Sequence, residues 1–113
     1  MPLIQITSLP QPPGVDCSAV LVAVNEAVGE LLGRPADVAW STWTTVAPGH
    51  YAVGADAADV QPSSSHPPIV HVYAERTAEV MEQVAERVAH MLEAQLGLPP
   101  GSAFVTTSRV NAH

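Results

Sequence analysis

Pro2-Leu3-Ile4-Gln5-Ile6 and Pro68-Ile69-Val70-His71-Val72 are one pattern written twice, at an offset of 66 residues. Each run is apolar and rich in branched side chains, with a polar residue fourth, as a mostly buried strand should be. After each comes a turn and then a long amphipathic segment. In the first, roughly Asp16 to Leu32, apolar residues fall at Cys17, Val20, Leu21, Val24, Val28, Leu31 and Leu32. In the second, roughly Thr77 to Leu96, they fall at Val80, Met81, Val84, Val88, Met91, Leu92 and Leu96. The i, i+3, i+4, i+7 spacing of both sets predicts helices with a single buried stripe.

Both helices stop in the same way, at Gly33-Arg34-Pro35 and Gly97-Leu98-Pro99. Glycine supplies a left-handed cap and proline forbids continuation. A strand rich in threonine and valine follows each, near Val38 to Val46 and near Ala103 to Val110. A strand–helix–strand unit of this length pairs its strands in parallel through a right-handed crossover. The expected fold is α/β, an α+β two-layer sandwich. It has duplicated β-α-β units and a four-stranded mixed sheet with two helices on one face. Repeat one covers 2–54 and repeat two covers 68–113 of a single domain. Gly49 to Gly54 is read as a short hairpin. The Asp-, Ala-, Ser- and Pro-rich stretch 55–67 is read as a surface linker.

Composition narrows the function. With 113 residues, 47% of them hydrophobic, the chain can bury a normal core. A net charge of −7, with four arginines and no lysine, argues against nucleic acid or an anionic membrane as partner. The single cysteine, Cys17, has no intrachain partner and suits a reducing cytoplasm. Its place on the apolar stripe reads as a small core residue. There is no signal-peptide pattern, and the apolar run Ala19 to Val24 is too short to span a bilayer.

Pro2 carries the chemistry. A small second residue favours removal of Met1, which leaves a secondary amine at the end of a rigid strand. An α-amino group titrates near 8 in water, and apolar burial moves it toward neutrality. A base tuned near the working pH is what proton transfer at carbon requires.

An amino-terminal proline at the head of a strand, within a duplicated β-α-β chain of this length, resembles the tautomerase superfamily. The start Pro2-Leu3-Ile4-Gln5-Ile6 and the segment Ala47-Pro48-Gly49-His50-Tyr51-Ala52-Val53-Gly54 resemble 4-oxalocrotonate tautomerase. The fused repeats look more like macrophage migration inhibitory factor and 5-carboxymethyl-2-hydroxymuconate isomerase. Ala74-Glu75-Arg76-Thr77-Ala78-Glu79 is similar to the arginine-containing turn that opens a helix in these proteins.

The resemblance implies a homotrimer and a cofactor-independent tautomerase or isomerase acting on a small 2-keto or enol acid. Pro2 would be the general base. Arg76 matches the arginine that binds the substrate carboxylate; otherwise it pairs with Glu75 or Glu79 on the surface. Arg34 stands where the migration inhibitory factor has a ligand-contacting lysine; otherwise it offsets a helix dipole. Tyr51 matches the aromatic residue of the hairpin, and Tyr73 lies near a ligand-facing backbone amide. Trp40 and Phe104 stand where oxalocrotonate tautomerase has an activating arginine. Phe104 can supply an apolar wall, and Thr106, on the same strand face, a hydroxyl. Without that arginine a monoacid fits better than a dianion. A proline-dependent decarboxylase or dehalogenase, or a non-catalytic trimeric binding protein, stays open.

The other residues point elsewhere. Arg87 reads as part of a solvated ion pair among Glu82 and Glu86, and Arg109, which ends the last strand, as a residue suited to a subunit interface. Trp40 and Trp43, three apart on opposite strand faces, are expected to pack in the core. His50, His66, His71, His90 and His113 show no metal-ligand spacing. His71 is expected to be hydrogen-bonded on the polar side of the sheet.

Overall fold

The computed structural model describes residues 2–60 and 65–110. The elements run β1 (Leu3–Ser8), α1 (Cys17–Leu32), β2 (Trp40–Thr45), β3 (Tyr51–Val53), β4 (Asp56–Ala58), β5 (Ile69–Ala74), α2 (Ala78–Leu96) and β6 (Phe104–Arg109). The main sheet has the order β2-β1-β5-β6. β1 runs parallel to β2 and β5 parallel to β6, while β1 and β5 are antiparallel. This is the four-stranded mixed sheet expected from two β-α-β units.

The period-two alternation of the strands separates two faces. Ile4, Ile6, Val70, Val72 and Ala74 point to one side and join Val20, Val24 and Val28 of α1 and Met81, Val84, Val88 and Leu92 of α2 in one buried cluster. Both helices therefore cover a single face. The other carries Leu3, Gln5, Thr7, His71, Tyr73, Thr106 and Ser108, together with Trp40 (56% exposed), Ile69 (40%) and Phe104 (58%). Among the described residues, no element covers it.

The helix ends form as the sequence dictates. Asp16 caps α1 by accepting from the Ala19 amide, and Thr77 caps α2 by accepting from the Val80 amide. Gly33 and Gly97 close the helices at φ 65° and 67°. In both, the next amide bonds back five residues along the chain, Arg34 to the Gly29 carbonyl and Leu98 to that of Glu93, each at 2.8 Å.

Four expectations are corrected. The strand expected from Val38 begins at Trp40, because Ala36–Val38 forms a 3-10 turn after Pro35. The stretch read as linker opens with a strand. β4 pairs antiparallel with β3 around Gly54, whose φ of 59° has the sign that a primed hairpin turn needs. Cys17 sits at the first position of α1, half-exposed outside the core. Trp40 and Trp43 do lie on opposite faces, but only Trp43 packs against the core, its indole donating to the Ser8 hydroxyl at 3.0 Å. Trp40 stands on the open face because the helices cover only the other one. His113 and residues 61–64 lie outside the described residues.

Candidate active site

Pro2 is buried at the end of the sheet, and its carbonyl accepts from the Trp40 amide at 2.9 Å. This bond extends the β1–β2 ladder one step and fixes the ring where β1 begins. Two turns meet it. One is the α1 terminus: the reversed chain at Gly33 and the following 3-10 turn carry Arg34, Asp37 and Val38. The other links β5 to α2 and carries Glu75 and Arg76. These five residues and Pro2 line one cavity of about 490 Å³. Pro2, Arg34 and Arg76, singled out separately in the sequence, are thus brought together.

Two guanidinium groups and two carboxylates share this cavity, so its lining side chains balance in formal charge although the chain as a whole is strongly acidic. Arg76 donates from Nη1 to the Glu75 carbonyl at 2.8 Å. Asp37 is the functional candidate missed in the sequence. Its signal was its place three residues after Arg34 within one short turn.

The remaining candidates are elsewhere in the chain. Phe104 pairs with Ile69, which pairs with Thr7, so it lies five residues along β1 from Pro2, roughly 17 Å at the usual strand rise. Thr106 donates to the Val70 carbonyl at 3.3 Å and accepts from Nδ1 of His71, whose Nε2 meets the Ser108 hydroxyl at 2.8 Å. Thr106 is engaged within the sheet, and His71 is the hydrogen-bonded histidine expected there. Tyr73 stacks on His71 with ring centres 4.3 Å apart. With Leu3, Gln5, Glu75 and Val110 it lines a second cavity of about 390 Å³ on the open face, and Glu75 borders both cavities.

Tyr51 is tied to the segment that leads into β5. Its hydroxyl donates to the Pro67 carbonyl at 2.8 Å, and its ring meets His66 edge-on at 5.1 Å. Burial pushes its phenol above the ordinary tyrosine value. His66, unremarked in the sequence beyond its lack of metal spacing, is 1% exposed and bonds through Nε2 to the Asp56 carbonyl at 2.8 Å. It pins β4 against the start of the second repeat. Within one chain, then, Pro2, Arg34 and Arg76 converge, whereas Tyr51, Phe104 and Thr106 do not reach them.

Solved structures match this arrangement of elements over nearly the whole chain. A macrophage migration inhibitory factor-like protein from Entamoeba histolytica is 14% identical, with a TM-score of 0.69, covering 96% of this chain and 88% of its own. A fused 4-OT, described as a symmetric trimer, is 18% identical with a TM-score of 0.74, covering 96% and 85%. The chain has the tautomerase-superfamily fold. Malonate semialdehyde decarboxylase shares that fold, at 19% identity and a TM-score of 0.70, covering 96% of this chain and 84% of its own. No family model and no curated protein sequence matches the chain. Among the described residues, no helix of this tautomerase-fold chain is long and apolar enough to cross a membrane.

Proposed function

We propose that this chain is a cofactor-independent tautomerase in which Pro2, freed of Met1, shuttles a proton on a small 2-keto or enol monoacid. The supporting observation is that Pro2 and two of the four arginines line one cavity. The prolyl nitrogen accepts the enol hydroxyl proton and returns it to the neighbouring carbon. Arg76 and Arg34 hold the substrate carboxylate and stabilise the charge that develops on oxygen. A sheltered setting for the amine would favour its neutral, basic form. Asp37 and Glu75 disfavour a second carboxylate, so an arylpyruvate-type enol suits the cavity better than a dianion.

The trimer belongs to this reading. Phe104 lies toward the end of the sheet remote from Pro2, Thr106 stands at mid-sheet opposite His71, and Tyr51 belongs to the separate hairpin. None of them lines the Pro2 cavity, so in a homotrimer they complete a site only from a neighbouring subunit. The uncovered face with Trp40, Ile69 and Phe104 offers the apolar area for such packing, and the fused 4-OT neighbour is a trimer.

The test is enol–keto conversion of phenylenolpyruvate. Pro2→Ala should slow it about a hundredfold, the usual weight of a positioned base. A chain with one extra alanine before Pro2, whose nitrogen is then a tertiary amide, should be inactive. Full activity in that chain would sink the reading.

Asp37 favours a second reading. With Pro2 protonated, the Asp37 carboxylate could take a proton from water while the prolyl ammonium protonates carbon. That is the pattern of hydration and of the decarboxylase and dehalogenase alternatives. Turnover of a 3-oxo or 3-halo acid that Asp37→Asn abolishes, without phenylenolpyruvate activity, would select it. Carboxylate binding with no turnover of either substrate would select the trimeric binding protein.

A further inference from the structure

We propose that Arg109, at the end of β6, is a positioning residue that fixes the turn carrying Arg76; the inference rests on the reading of Arg76 as the carboxylate-binding group. Only Glu75 and Arg76 lie between β5, which ends at Ala74, and the α2 cap at Thr77. This two-residue turn must send its chain into the helix and the Arg76 side chain toward Pro2. The carbonyl of Arg76 falls outside both neighbouring ladders. The first helical bond of α2 goes to the Thr77 carbonyl, from Met81 at 2.9 Å, and the last rung beyond β6 goes to the Ala74 carbonyl, from Val110 at 3.0 Å. Arg109 supplies the missing donor: its Nε donates to the Arg76 carbonyl at 2.8 Å, across 33 residues of sequence.

That bond fixes the orientation of the peptide plane after Arg76, and with it the direction in which the Arg76 side chain leaves the turn. The register makes the contact available, because Arg109 pairs with Ala74, the residue at which β5 gives way to the turn. The bond also gathers positive charge. Arg34, Arg76 and Arg109, three of the four basic residues in a chain of net charge −7, assemble at the Pro2 end of the sheet. A charged donor to a carbonyl outweighs a neutral one, which makes arginine the effective choice at this exposed position.

The test is a comparison of R109M and R109K with the wild-type protein on phenylenolpyruvate. R109M should raise KM about tenfold and leave kcat within about twofold, the signature of a lost binding contribution. R109K, which keeps a cationic donor, should return KM to within about threefold of wild type. R76M and R76M/R109M should have the same KM, since Arg109 acts through Arg76. An unchanged KM in R109M, or a full additional loss in the double variant, overturns the proposal. If R109M does not fold, R109A, which also lacks a donor, takes its place.

Nitrogen-15 relaxation of the Arg76 backbone amide and Nε–H gives a readout independent of turnover. Both should be as rigid as α2 in wild type and should loosen in R109M. An unaltered Arg76 signal would refute the positioning role even if the protein proved inactive on every enol acid. Conversely, a loosened Arg76 in a protein without tautomerase activity would retain the role and discard the reaction.

Discussion

Arg34 and Leu98 occupy the same place in the two copies, the residue after the left-handed glycine, and meet opposite fates. Leu98 is buried, which is the usual hydrophobic contact of this helix-ending motif, whereas Arg34 is exposed and borders the Pro2 cavity. A charge at a position whose duplicate is apolar marks where the two copies diverged in role. Pro2 and Pro68 diverge in the same sense. Each accepts from the first amide of the strand beside it, Trp40 and Phe104 respectively. Only Pro2 becomes an amine on removal of Met1, while Pro68 remains a tertiary amide. Cys17 gives a test at the same scale. Its thiol pKa is raised by burial and then by the Asp16 carboxylate next to it, despite its place at the start of a helix. Less thiolate forms at a given pH, so iodoacetamide should modify Cys17 more slowly than a free thiol at pH 8. Asp16→Asn keeps a capping side chain and removes the charge, so the rate should rise; an unchanged rate would show that Asp16 contributes nothing.

At the scale of elements, the helices hold the site by their ends and the sheet by their faces. Thr77 caps α2 next to Arg76, so Thr77→Ala should cost about 1 kcal/mol in urea unfolding and also weaken carboxylate binding. Leu92, fully buried between α2 and the sheet, should cost about 3 kcal/mol when cut to alanine. Glu93 is the less obvious element-level residue. It is buried, and its Oε2 accepts from the Gly101 and Ala103 amides at 3.0 and 3.1 Å, tying the loop that delivers β6. Glu93→Ala would leave both amides without that acceptor and should cost about 2 kcal/mol, whereas Glu93→Gln, which keeps an acceptor oxygen, should cost less than half of that. Equal losses in the two variants would show that the carboxylate's charge, rather than its geometry, holds the loop.

For the whole molecule the open face of the sheet is decisive. Both helices pack on one side of the four strands, and the other side carries the exposed Trp40, Ile69 and Phe104. β2 and β6, at the two edges, also present unpaired backbone groups. Light scattering on the proposed trimer should give three times the mass of the chain. Phe104→Asp should lower it to that of the monomer and abolish phenylenolpyruvate turnover, with the helical signal retained. Persistence of a trimer in that variant would place the interface elsewhere.

The two β-α-β units, both helices and the two glycine caps that end them were legible in the sequence, because period, glycine and proline are local and act within a few positions. The proximity of Pro2, Arg34 and Arg76 was legible only through the family resemblance. Asp37 was missed because its importance comes from the 3-10 turn that swings it toward Pro2. β4 and the buried His66 were hidden in a stretch whose composition is that of a connector. The open face of Trp40 and the bond from Arg109 to Arg76 could not be read at all. Sequence spacing sets which residues share a face of one strand or helix. The antiparallel meeting of β1 with β5 decides which ends come together, and that pairing depends on packing between segments 66 residues apart.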